Sequence, residues 1–387
     1  MIHATEKYSV PLILQSQIIA ILALAFVYAV VARISFLITI PPGNISPIFP
    51  SAGIALAAVL ILGRRVLPGV WLGSFWANFS FYVELSVPSV HSVLRDALVC
   101  SFVGLGAMSS AGIGAYLVTR LCGNHHPIYS GRNVLMLVTV GALGAYMISA
   151  TVGVISMSAG GYVPWGWFAY SWITWWVGDG SGTIVTAPLI LAWHLPHPFP
   201  KTRWRMLEGI ALAAVTLVVC FLDFFHNLPF VYVLIPVLSW AAFRFGMRGA
   251  STTAAVIGLS ATVFTSRGRG PFLADTVTES LILLHAFLGV SLVFPLFLAG
   301  VLAERKRAQD ALHRLNVRLE QRVSERTALA ERRAAQLRDL VFQLAHSEQH
   351  ERERIGHLLH DNLQQILVAA RYQLNALRAR IHETEAL

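Results

Sequence analysis

His360 and Asp361 are adjacent in ERERIGHLLHDNLQQIL, residues 351–367, and Gln365 follows the acid by four positions. On a helix that spacing puts Asp361 and Gln365 on one face. A carboxylate beside an imidazole can hold the tautomer that leaves one ring nitrogen free as a nucleophile. Ile355, Leu359, Leu363, Ile366, Ala370 and Leu374 form a single apolar stripe. His360 lies one residue past Leu359, about 100° round the helix, at the edge of any core the stripe builds. The spacing predicts an imidazole that a partner domain can reach.

A second candidate lies in an apolar stretch. Asp179 sits between Gly178 and Gly180, with Trp172, Trp175 and Trp176 one to two turns earlier. Burying a carboxylate at bilayer depth costs at least about 2.5–3.5 kcal/mol, so a partner is expected. Arg33, in the outer part of the first apolar segment, is a candidate partner, and Asn78 could join the network. Asp179, Arg33, Asn78, Trp175 and Trp176 are therefore the candidate sensing residues. The competing reading is a structural ion pair, or a protonated acid, that only locks helices together. Gly104, Gly106, Gly112 and Gly114 follow no strand, so they suggest close helix packing and not a phosphate loop. His125 and His126 lack further ligands at metal-site spacing, and no metal site is expected. Cys100, Cys122 and Cys220 read as packing residues.

The elements that must position these groups are membrane helices. The chain has 387 residues, is 56% hydrophobic and only 13% charged, and has mean hydropathy +0.62. That composition excludes an ordinary soluble protein. The net charge of +9 is scattered between apolar stretches, which argues against direct nucleic-acid binding. About ten apolar segments have near-spanning length, at 17–39, 48–63, 66–84, 94–119, 133–155, 165–193, 207–224, 228–243, 250–265 and 280–302. Eight spans result if one weak pair is dropped. With the N-terminus inside, Arg64, Arg65, Arg120, Arg132, Lys201, Arg203, Arg205, Arg244 and Arg248 all fall in cytoplasmic loops. The sequence thus predicts a multi-pass protein of a bacterial inner (plasma) membrane with both termini cytoplasmic.

From Ala303 the composition turns to Arg, Glu, Gln, Ala and Leu. Leu312, Leu315, Leu319, Val323, Thr327, Ala330, Ala334, Leu337, Val341 and Leu344 recur at steps of three and four, which predicts a parallel coiled-coil dimer. The expected fold class is all-α: a polytopic transmembrane helix bundle followed by a long cytoplasmic coiled-coil helix. Its expected divisions are 1–302, 303–350 and 351–387.

The 351–367 segment resembles the dimerisation and histidine phosphotransfer domain of sensor kinases that pair with NarL-type response regulators, whose pattern runs roughly E-R-x-R-I-A-x-x-L-H-D-x-L-x-Q. The resemblance implies that His360 is the phosphoacceptor, Asp361 the acid/base beside it, and Gln365 the residue that positions water when the regulator is dephosphorylated. Gly356 stands where the family usually has Ala. Residues 17–302 resemble the membrane-associated sensor domains of the MASE class, first type. That likeness rests on PPGNISPIFPSAGIALAAVLILGRR, LPGVWLGSFWANF, WITWWVGDGSGTIVTAPLILAW and PVLSWAAFRFGMRGA. Phe49 stands where this class commonly has Trp.

Together the resemblances imply the membrane sensor of a two-component system, a homodimer that responds to a small-molecule signal or a membrane partner protein. By family it would be an ATP:protein-histidine phosphotransferase. No ATP-binding domain follows Leu387, so the expectation is a C-terminally truncated kinase. ATP and Mg would enter only with the missing catalytic domain, and this chain itself would bind no cofactor. Two rival readings are a non-catalytic receptor or scaffold regulating a partner kinase and a secondary transporter, which would also show Gly-interrupted helices and a buried acid.

Overall fold

The computed structural model describes residues 10–38, 46–85, 89–123, 126–195, 203–226 and 231–384. Pro42, His125 and Lys201 lie outside the described residues. Ten α-helices follow one another, and no strand occurs among the described residues. They are α1 (Val10–Phe36), α2 (Pro50–Leu62), α3 (Leu67–Leu85), α4 (Val90–Cys122), α5 (Gly131–Met136), α6 (Ala145–Ala159), α7 (Phe168–His194), α8 (Arg203–His226), α9 (Leu234–Ser266) and α10 (Val277–Thr384). A π-helical stretch, Leu137–Gly144, joins α5 to α6.

Six of the described helices are long and apolar enough to cross a membrane. They are Ser16–Phe36, Val90–Cys122, Gly131–Ala159, Arg203–His226, Val231–Ser266 and a helix beginning at Val277. The expected segments at 48–63, 66–84 and 165–193 are all helical, as α2, α3 and α7. At 13 residues α2 reaches only about 20 Å, short of the hydrocarbon thickness. The segments expected at 228–243 and 250–265 form one element, α9, broken at Gly246 with φ 60° and ψ −145°. An L-residue side chain rarely tolerates that backbone, so glycine permits the break.

The chain divides into two compact units, Met1–Ala308 and Gln309–Leu387. In the first, α1 packs on α3, α3 on α4, α4 on α6, and α2 on α7, while α8 packs on α9. One core gathers Leu24, Tyr28, Leu56, Val70, Ala111 and Leu191. A second gathers Ile48, Ile184, Phe224, Leu238, Ile257 and Leu288. Ile18, Ile19, Leu22 and Phe26 of α1 remain half or more exposed. Faces of that kind suit lipid and would be costly in water.

The expected small-residue packing is present. A Cβ on Gly104 would meet Trp71 at 3.0 Å, and one on Gly114 would meet Ala145 at 3.0 Å. The equivalent positions at Gly106 and Gly112 face Val152 at 3.1 Å and Leu67 at 3.3 Å. The three cysteines are free and buried.

The second unit is helical through Thr384. Its apolar positions are unburied in the single chain: Leu319 is 48% and Leu337 64% exposed.

Candidate functional site

The sequence WWVGDGSGT places glycines at 178 and 182, one helical turn apart on α7. Glycine inside a helix costs up to about 1 kcal/mol relative to alanine, so its presence calls for a local reason. The extended segment before α2 supplies it. A Cβ on Gly178 would come within 2.6 Å of the Ser46 carbonyl oxygen, and one on Gly182 would collide with the Phe49 backbone. The segment lies in this groove through specific bonds. Phe49 N donates to Gly178 O at 3.0 Å, Ser181 Oγ to Pro47 O at 3.2 Å, and Thr186 Oγ1 to Pro50 O at 2.9 Å.

Packing the 46–49 segment onto α7 closes one side of a cavity of about 80 Å³. Asp179 lies on its wall with Asn78, Ser46, Ser74, Ser149 and Ser171. Tyr28, Phe36, Phe49, Phe81, Tyr82 and Trp175 supply an aromatic lining. These rings brace one another: Phe36 and Phe81 have centroids 4.9 Å apart, and Tyr28 meets Phe49 edge-on at 6.2 Å. The cavity sits toward the end of the bundle where α1 and α3 finish and α7 begins.

Asp179 is 4% exposed. Its Oδ2 accepts a hydrogen bond from Ser149 Oγ at 2.8 Å. The expected ion pair with Arg33 is not formed; Arg33 Nη2 instead donates to both carboxylate oxygens of Glu84, at 2.9 and 2.7 Å. Both charges of that pair are substantially exposed. The reason is register: Arg33 stands near the end of α1 and Glu84 near the end of α3, and these helices pack side by side. Asn78 and Trp175 line the same cavity as Asp179. Trp176 turns away, donating from Nε1 to Leu143 O at 2.7 Å in the π-helical stretch and stacking on Trp172.

Beside the cavity, Tyr162 donates a hydrogen bond to Asp96, and Arg95 lies 4.9 Å above the Tyr162 ring. Burial first, then the bond to Asp96, pushes the Tyr162 phenol up to about 12. Tyr82 packs 4.5 Å from Tyr162 and donates to Met157 Sδ at 3.3 Å. Sequence reasoning missed Tyr28, Tyr82, Ser149 and Glu84. Polar and aromatic residues clustering at the same ends of α1 and α3 were the available signal for all but Ser149.

The family model of MASE1 matches residues 20–307. The chain belongs to the MASE1 family. MASE1 is a membrane sensor domain found in signalling proteins, and the chain is a multi-pass membrane protein. No curated protein and no solved structure gives a significant match. The MASE1 region contains every residue of the cavity wall.

His360 lies outside the MASE1 match, on the second unit. It is solvent-exposed, with Nδ1 3.7 Å from Asp361 Oδ1. That separation is an ion-pair distance and too long for a hydrogen bond. Gln364 Nε2 comes within 3.5 Å of His360 Nε2. Gln365, on the same exposed helix, makes no described contact with His360. Among the described residues, no group of three His, Cys, Asp or Glu could hold a metal ion.

Proposed function

We propose that this chain is the membrane input and dimerisation part of a sensor histidine kinase. The observation that carries the reading is the order of parts: a MASE1 domain is followed by a helix bearing the His360–Asp361 pair within ERERIGHLLHDNLQQIL. In this reading about ten spans, or eight, cross the inner membrane, and the basic loops at Arg64–Arg65 and Arg203–Arg205 face the cytoplasm. The exposed stripe from Leu312 to Leu344 is covered by a second copy in a parallel coiled coil. His360 accepts the phosphoryl group, Asp361 acts as acid/base beside it, and Gln365 positions water when a NarL-type response regulator is dephosphorylated.

The 351–387 segment supplies a nucleophile without a phosphate cradle or magnesium site, and phosphoryl transfer depends on both positioning and charge stabilisation. ATP and Mg therefore act through an ATP-binding domain, in cis or from a partner. The chain alone, incubated with labelled ATP, should remain unlabelled. Fused to or mixed with a related catalytic domain, it should acquire acid-labile, base-stable label that His360→Gln abolishes. Gln365→Ala should retain labelling and slow phosphate removal from the regulator. Label persisting in His360→Gln would refute the assignment.

A further inference from the structure

The composition of the cavity wall narrows what can occupy it. Asp179 is the one Asp, Glu, Lys, Arg or His among the described residues that line the cavity. None of the ion pairs among the described residues involves it. Ser149 satisfies part of its hydrogen-bonding capacity without neutralising a charge. The ionised form of a carboxylate buried in this setting is stabilised by a compensating cation. Among the described residues no side chain pairs with it as a counter-charge, and Arg33 is held by Glu84.

The remaining wall points the same way. Tyr28, Tyr82, Tyr146 and Trp175, with Phe36, Phe49 and Phe81, contribute aromatic rings to the wall. Aromatic faces attract cations, most strongly where water is excluded. An anion would meet a carboxylate and no counter-charge. A wholly apolar guest would offer Asp179 no compensating charge or further hydrogen bond. A bare metal ion has no group of three candidate ligands among the described residues. Each water-sized occupant needs about 10–15 Å³ of such space. A cavity of about 80 Å³ therefore suits a guest of on the order of five to eight non-hydrogen atoms.

We infer that the cavity binds a small ammonium cation, with Asp179 as its counter-charge and the Tyr28, Tyr82 and Trp175 rings around its alkyl groups. This deepens the sensor reading by naming a ligand class for the membrane domain. It does not depend on the chemistry of His360.

The test uses the full 387-residue chain in lipid nanodiscs. Choline, tetramethylammonium and propylammonium serve as probes, with 3,3-dimethylbutan-1-ol as the uncharged isostere of choline and butyrate as an anion. Thermal stabilisation and tryptophan fluorescence are titrated against each. At least one cation should bind saturably, and choline, if it binds, about tenfold or more tighter than its neutral isostere. Butyrate should give no shift. Asp179→Asn should weaken cation binding about tenfold or more, and Tyr82→Leu should weaken it without affecting a carboxylate. Should Asp179→Asn fail to accumulate, the comparison of charged and uncharged probes on the unaltered chain still decides. The inference is overturned by equal affinity for choline and its isostere, by undiminished cation binding in Asp179→Asn, or by no saturable response to any cation. Because the readout is binding, its failure leaves the His360 assignment standing, and loss of phosphoryl transfer leaves the cavity assignment standing.

Discussion

His285 Nε2 lies 2.9 Å from the carbonyl oxygen of Pro47. The bond joins α10 to the segment that closes the cavity, for Ser46 and Phe49 both line it. The other ring nitrogen, Nδ1, lies 2.7 Å from Leu281 O. A neutral imidazole carries one N–H, so it can donate to only one of these two carbonyls. With the proton on Nε2, His285 ties the cavity wall to the helix that continues in sequence toward His360. Under the sensor reading, this contact offers a route from an occupied cavity to the output.

His285→Leu removes that donor and leaves Ser181 as the remaining bond to Pro47. A hydrogen bond of this kind contributes about 1 kcal/mol. Amide exchange in the 46–53 segment should therefore rise about fivefold, while exchange in α4 stays unchanged. Hydrogen-exchange mass spectrometry in nanodiscs measures both, and unchanged protection of 46–53 would remove His285 as a tie.

Gly182→Ala should destabilise the membrane domain by about 1–3 kcal/mol, the usual range for overpacking. The added methyl has no room beside the Phe49 backbone, and both elements that would have to move are main chain. Gly289→Ala is the control, since nothing lies within 4 Å of its Cβ position. There the helix should gain up to about 1 kcal/mol. Thermal melts that fail to separate the two variants would count against the α2–α7 groove.

The coiled-coil proposal predicts unequal crosslinking along the second unit. Single cysteines at Leu319 or Leu337, in a chain lacking Cys100, Cys122 and Cys220, should give disulfide-linked dimers in membranes. A cysteine at Arg332 should give several-fold less. Equal yields at the three positions would exclude the seam from Leu312 to Leu344.

His126 should make stability depend on pH. Its Nδ1 is buried without a hydrogen-bond partner. Burial first, then His194 and the Arg307 charge, lowers its proton affinity below the ordinary histidine value. The unfolded chain therefore binds the proton more readily as pH falls below about 6.5. Stability present above that pH should decline below it, through the lowered folded-state value. Melting temperatures from pH 7.5 to 5 should fall less steeply in His126→Gln, and parallel slopes would show that His126 does not set the dependence.

The membrane half was legible because hydropathy over about 20 residues is a local property: among the described residues, each of the ten apolar segments expected is largely helical. Their grouping was less legible. Whether 228–243 and 250–265 are two elements or one depends on Gly246 adopting positive φ, and glycine permits that backbone without dictating it. The composition changes at Ala303, and the second compact unit begins at Gln309.

The sequence by itself determined that the chain is helical and membrane-embedded, that Asp179 stands in an apolar stretch, and that His360 and Asp361 adjoin on a helix. Composition, helical periodicity and residue order suffice for those conclusions. Only the tertiary structure decided that Arg33 serves Glu84, that Ser149 reaches Asp179, and that Trp175 faces the cavity while Trp176 faces Leu143. Those outcomes depend on the rotation and depth of each helix against its neighbours. That register follows from many small packing contacts, among them the glycine groove that admits the 46–49 segment, and no local sequence signal encodes their sum.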